Sequence, residues 1–195
     1  MKFHLCRFLP LLALLFGSCV APDREHTIVI SVPDQKMIVY KQTACLAEFP
    51  VSTSRFGLGD EPGSRATPLG WLEIARKIGG GAASGSVFKN REWTGEILPP
   101  NTPGRDPIVT RILWLRGLED GNRRSYDRDI YIHGTPEEWK IGTAASFGCV
   151  RMRSRDVIAL YNIVGVGARV EIINAPLVNQ TTDQPAESDV LTDRQ

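Results

Sequence analysis

The chain is punctuated by short runs dominated by β-branched and aromatic residues. "TIVISV" (27–32) and "MIVYK" (37–41) are two of them, with the turn-forming "PDQ" between. "CLAEFPVSTS" then alternates, placing Cys45, Ala47, Phe49 and Val51 on one side. A period of two predicts a third strand and a β-meander, with Cys45 as a small packed hydrophobe. "WLEIARKI" (71–78), "IVTRILWLRGLE" (108–119), "DIYIHG" (129–134) and "ARVEII" (168–173) read as further strands. One stretch has the helical period instead. Val157, Leu160, Tyr161 and Val164 share a face, Ser154 is placed to cap the N-terminus, and Asp156 suits the first turn. Residues 55–70 are rich in Gly and Pro and predict a loop. Residues 79–107 are turn-forming throughout, and an irregular stretch that long inside a domain is usually functional or mobile. The pattern predicts a mainly β domain with one principal helix and no internal repeat.

The two ends read differently from this domain. Lys2 and Arg7 precede an apolar run, Leu9 to Phe16, interrupted by Pro10 and too short to span a bilayer. Gly17 and Ser18 come next. Residues 1–18 are therefore expected to be an export signal and are set apart from the fold. The signal runs into Cys19, and "LFGSC" resembles a bacterial lipobox, which implies cleavage before Cys19 and acylation of its thiol. An ordinary signal peptide cut nearby is the plainer alternative. Val20 rather than Asp after the cysteine implies sorting to the outer membrane if the cell has two. Residues 19–26 are expected to be a tether, 27–174 the domain, and 175–195, polar and acidic, a disordered tail.

Charge narrows the classes of partner. The chain has 23 Lys and Arg, and removing Lys2 and Arg7 leaves 21 against 22 Asp and Glu. A near-neutral mature chain argues against a nucleic-acid binder, which needs a basic face. Export would permit a disulfide between Cys45 and Cys149 once Cys19 is acylated.

His133 is the sole histidine inside the domain, since His4 lies in the signal and His26 in the tether. It ends a predicted strand. Thr135, Pro136 and Glu138 form a capping box pattern with Pro at the first helical position, so a short helix is expected to start there. Sixteen positions after His133 comes Cys149, in "SFGCVRM". A cysteine attacks as thiolate, and an adjacent imidazole removes the handicap of its high pKa by taking the proton. Gly148 allows close approach of a carbonyl. The N–H groups of Gly148 and Cys149 are candidates for an oxyanion hole. Arg151 shares a side with Cys149 if the segment is extended; it suits a substrate carboxylate, or an internal salt bridge that orders the loop. Ser146 either caps the turn or orients His133, and Trp139 is expected in the core. Zinc requires more ligands than His133 and Cys149 provide. A lone His and a lone Cys are often structural, but their shared loop context and the export signal favour catalysis.

These residues resemble the bacterial L,D-transpeptidases, whose signature is a histidine, roughly one and a half dozen residues, then Ser/Thr-x-Gly-Cys-x-Arg/Asn. Here that is His133, Gly134 and Thr135, then Ser146, Gly148, Cys149 and Arg151. "VPDQKMIVY", "FPVSTSRFGLGDEPGSRATPLGWLEI" and "PGRDPIVTRILWLRGLE" also resemble stretches of that domain, so the likeness covers about residues 27–174. One departure is Phe147, where many members carry a second histidine. The resemblance implies a β-sandwich-like catalytic domain with the cysteine under a mobile flap, for which residues 79–107 are the candidate. It implies Cys149 as nucleophile on the third-residue carbonyl of a peptidoglycan tetrapeptide stem, with release of D-Ala. His133 then moves the proton, no cofactor is needed, and the acceptor is another stem or a lipoprotein lysine. It further implies sensitivity to carbapenems and a place in the cell envelope: periplasmic, anchored through Cys19. Cys45 and Cys149 are then expected to be free thiols. An L,D-carboxypeptidase and a non-catalytic wall-binding lipoprotein are the competing functions; papain-like peptidases place Cys before His, the reverse of this chain.

Overall fold

The apolar runs become ten strands of one mixed sheet in the computed structural model, which describes residues 21–177. Strands β1 (His26–Ser31), β2 (Lys36–Lys41) and β3 (Ala44–Pro50) form the expected meander. Along the chain they lead to β4 (Gly70–Ile78), β5 (Ser86–Lys89), β6 (Glu92–Ile97) and β7 (Ile108–Gly117). Next come β8 (Tyr131–Gly134), β9 (Val150–Met152), helix α1 (Ser154–Ile163) and β10 (Arg169–Ile173). The ladder runs β3-β2-β1-β10-β4-β7-β5-β6, and β8 branches from β7 and carries β9. Most neighbours are antiparallel; β1 with β10 and β8 with β9 are parallel.

Both arms of the branched ladder meet in one apolar core. Ile28 and Ile30 of β1, Leu72 and Ile74 of β4, Leu113 and Leu115 of β7, Ile132 of β8, and Val150 and Met152 of β9 are all buried there. Helix α1 adds Val157 and Leu160. Each such side chain contributes about 1.5–3 kcal/mol on leaving water, which is why the period-two pattern fixes which face turns inward.

Several local expectations change in three dimensions. Residues 79–107 are not irregular throughout: they contain the hairpin β5–β6, turned at Asn90 and Arg91 with φ of 51° and 69°. Two consecutive left-handed residues are the signature of a tight hairpin turn, usually advertised by Asn-Gly; the Arg conceals it. Helix α1 starts at Ser154 with Arg153 as its N-cap, so Ser154 is its first residue and not the cap. The Ser154 hydroxyl instead meets Thr110 Oγ1 at 2.8 Å. Glu138 does not close a capping box on Thr135: its Oε1 accepts from Ser154 N–H at 2.8 Å, capping α1 from another segment. The short helix expected after Thr135 is a single 3-10 turn, Glu138–Lys140. Trp139 on that turn is 53% exposed, not core. Cys45 is exposed too, because β3 is the end strand of the ladder and the register shifts between Val39 and Tyr40. The expected signal, lipobox Cys19 and most of the tail lie outside the described residues.

Candidate active site

Strands β8 and β9 have two faces with opposite chemistry. Ile132, Val150 and Met152 enter the core. The alternate residues, Tyr131 and His133 on β8 and Cys149 and Arg151 at β9, point to the other side. The parallel register pairs Ile132 with Val150 and His133 with Arg151, which sets Cys149 beside Tyr131. Cys149 duly packs against the buried cluster of Phe88, Ile112, Trp114 and Tyr131. His133 and Cys149 therefore share one face of neighbouring strands, diagonal to each other.

His133 is buried, and its Nδ1 lies 2.8 Å from the carbonyl oxygen of Gly134. A carbonyl only accepts, so Nδ1 carries the proton and Nε2 presents a lone pair. Burial lowers the His133 pKa below its ordinary 6.5, against the opposing pull of Asp106. At neutral pH the ring is a neutral base.

The Cys149 thiol donates to the Asp129 carbonyl at 3.4 Å and accepts the Tyr131 N–H at 3.4 Å. Burial pushes its pKa up to about 11, with Asp129 adding and the Tyr131 N–H opposing. The resting pair is thus neutral thiol and neutral imidazole, not a preformed ion pair. Asp129 itself sits at φ 58°, a left-handed conformation uncommon outside Gly and Asn/Asp.

Gly148 has φ 123°, and a Cβ there would stand 3.3 Å from the Ala66 carbonyl oxygen. A glycine is needed to pass the loop so closely. Ser146 Oγ donates to the Cys149 carbonyl at 2.6 Å and accepts the Gly148 N–H at 3.2 Å. Ser146 thus caps the turn that carries the thiol. The Gly148 N–H, expected in an oxyanion hole, is already engaged, which leaves that of Cys149.

Arg151 is 2% exposed and ties down the floor of the site. Its guanidinium pairs with Asp106 and, at 3.3 Å each, with Glu137 and Ser52 Oγ. Of the two roles the sequence leaves open, the structure displays the internal salt bridge. Thr135 Oγ1 donates to Asp106 and accepts the Glu137 N–H, so it belongs to the same network. Gly134 supplies the His133 acceptor, and a Cβ on it would meet the Val109 carbonyl at 2.6 Å.

Sequence reasoning missed Asp106, Glu137 and Asp129. Asp106 lies in "PGRDP", inside a stretch read only as flap, and its link to Arg151 spans 45 positions. No local periodicity reports such a contact. Beside this face, β5, β6 and the Gly79–Ala83 segment line an apolar cavity of about 550 Å³ that reaches Phe88, a member of the cluster against which Cys149 packs.

The model of the YkuD family, the L,D-transpeptidase catalytic domain, matches residues 25–172. The chain belongs to this family. It is 30% identical over 171 residues to the probable L,D-transpeptidase YbiS of Escherichia coli K12, covering 84% of this chain and 50% of that protein. The putative L,D-transpeptidase YkuD of Bacillus subtilis 168 is 54% identical over 79 residues, 40% of this chain and 48% of that protein. The chain thus spans about half the length of these curated relatives. Among solved structures, L,D-transpeptidase 3 of Mycobacterium tuberculosis with a faropenem-derived adduct superposes at a TM-score of 0.50 and 16% identity. The match covers 76% of this chain and 60% of that one, and establishes a shared fold. The mainly β architecture of this L,D-transpeptidase domain is therefore the family's own.

Proposed function

We propose that this L,D-transpeptidase-family domain works in the cell envelope as a cysteine acyltransferase on peptidoglycan stem peptides. The observation that carries the reading is the common face of β8 and β9, where the thiol lies diagonal to an imidazole whose Nδ1 is tied to the Gly134 carbonyl. In the first half-reaction the thiol leaves the Asp129 carbonyl and gives its proton to His133 Nε2 as sulfur attacks the third-residue carbonyl of a tetrapeptide. The Cys149 N–H faces the developing oxyanion. The C–N bond then breaks, His133 returns the proton to the departing D-Ala amine, and a thioester remains. In the second half-reaction an acceptor amine attacks the thioester, its proton passes through His133 to the sulfur, and a new amide forms. With the thiol held near 11 and the base held neutral, the proton passes to His133 in the course of the reaction and not before the stem binds. Arg151, Asp106, Glu137, Thr135 and Ser146 support the site without touching the reacting atoms. The acceptor is another stem or a lipoprotein amine, and Cys19, outside the described residues, is the proposed lipid anchor.

Incubation of the domain with a tetrapeptide stem, with and without an acceptor amine, tests the proposal. D-Ala release with a joined product is expected. Release with free tripeptide alone would make the protein an L,D-carboxypeptidase, and absence of release would leave wall binding without turnover.

A further inference from the structure

Two residues before Cys149, Phe147 is 52% exposed, and Phe56 opposite it is 44% exposed. Their ring centroids lie 5.4 Å apart. Two arginines flank the pair. The Arg55 guanidinium stands 4.5 Å from the Phe147 centroid and 4.9 Å from that of Phe56. The Arg65 guanidinium stands 5.6 Å and 5.7 Å from the same two rings. Among the described residues neither arginine has a carboxylate partner, whereas Arg124 and Arg128 close by reach Glu61 and Asp60. Two uncompensated cations thus share one small aromatic platform, where like charges repel and an incoming anion relieves the repulsion.

The platform is fixed to the nucleophile's turn. Ser54 and Ser146 form a bridge, Arg55 N–H donates to the Ser146 carbonyl at 3.2 Å, and Thr67 Oγ1 donates to the Gly148 carbonyl at 2.9 Å. Arg65 is held at φ 57° with its carbonyl accepting from Ser54 Oγ at 2.5 Å. An exposed, non-Gly residue in that conformation is strained, and the surrounding bonds hold it there.

We infer that Arg55 and Arg65, seated on Phe56 and Phe147, form a subsite for a carboxylate of the donor stem peptide. The occupant is the free carboxylate of an acidic residue that precedes the third residue of the stem. Phe147 lies two residues before Cys149, at most about 7 Å along the backbone, so a carboxylate seated on the platform belongs to a part of the stem next to the carbonyl under attack. A guanidinium fork binds a carboxylate bidentately, and the phenyl rings keep both forks in place and partly dry. Phe147, where the family resemblance leads one to expect a second histidine, becomes part of substrate recognition. The inference rests on the proposed peptidoglycan substrate.

The test separates binding from turnover by using a full domain carrying Cys149→Ala. Its affinity for the tetrapeptide stem is measured calorimetrically with Arg55 and Arg65 native or both changed to Gln. The same titrations use a stem whose acidic residue is amidated. The subsite predicts about a tenfold or greater weakening for the Arg55→Gln, Arg65→Gln double change. A similar weakening is expected for the amidated stem on native arginines, with no further loss when both changes are combined. Equal affinities, or losses that simply add, would overturn it. In the active protein the double change is expected to raise KM for D-Ala release while iodoacetamide alkylates Cys149 at an unchanged rate. Unaltered D-Ala release with loss confined to the joined product would place the arginines on the acceptor side and overturn the donor assignment. Tight stem binding without any D-Ala release would instead refute the proposed turnover and leave the subsite standing.

Discussion

Arg151 and the pair Arg55 and Arg65 carry the same charge on two segments tied to the turn that holds the thiol, yet they are built in opposite ways. Arg151 is buried and meets two acids and a hydroxyl. Arg55 and Arg65 are exposed and rest on aromatic rings without an acidic partner among the described residues. A cation removed from water must be paired, whereas a solvated one remains available to a ligand. The difference teaches that the strand wall of the site is a rigid support and the loop wall is where recognition can occur.

The largest test removes the chemistry and leaves both walls intact. Cys149→Ser should reduce D-Ala release by at least about a thousandfold, with little change in the urea midpoint. Breaking the buried wall comes next. Arg151→Met leaves Asp106 without its cation, while Glu137 keeps Lys140 at 2.7 Å, and should cost about 3–5 kcal/mol in urea unfolding. Arg55→Gln, by contrast, should stay within about 0.5 kcal/mol, and equal losses at the two positions would erase the distinction.

Protonation gives a smaller effect with a defined sign. The folded state raises the Cys149 pKa from its ordinary 9.0 to about 11. The folded chain therefore keeps a proton that the unfolded chain releases, and stability from this group is full below about pH 9 and lost as pH rises toward 11. Cys149→Ala should flatten that part of the urea-midpoint profile. His133 acts at the other end. Its pKa is depressed from 6.5, so its contribution is present above that pH and lost as pH falls below it. The smallest expected change is at the rim of the buried wall: Glu138→Gln weakens the cap on Ser154 N–H and should cost about 0.5–1 kcal/mol by thermal unfolding.

The strands were legible because alternation has a simple cause. Residues such as Ile28, Ile30, Leu113 and Leu115 must all turn toward one core, so each run declares its inner face. The hairpin β5–β6 was hidden because Gly and Pro surround it and its turn is Asn90-Arg91. At the site, His133 and Cys149 stood out as unusual residue types beside strand and glycine signals. Asp106 did not, since an acid in a Gly- and Pro-rich stretch looks the same whether it faces water or a buried arginine. Trp139 and Cys45 failed for a related reason: an apolar residue on a lone turn or an end strand has no guaranteed partner.

The sequence by itself determined where the meander and the longer strands outside residues 79–107 extend, where the helix lies, and which cysteine and histidine carry the signature, because these depend on neighbours close along the chain. The tertiary structure alone decided that Arg151 is locked to Asp106 while Arg55 and Arg65 stay open, that Glu138 caps a helix it does not belong to, and that the thiol rests on the Asp129 carbonyl. Those outcomes turn on burial and on contacts between distant segments. The energy of a charge or a hydrogen bond is set by what surrounds it in space, and that becomes defined only once the strands have packed.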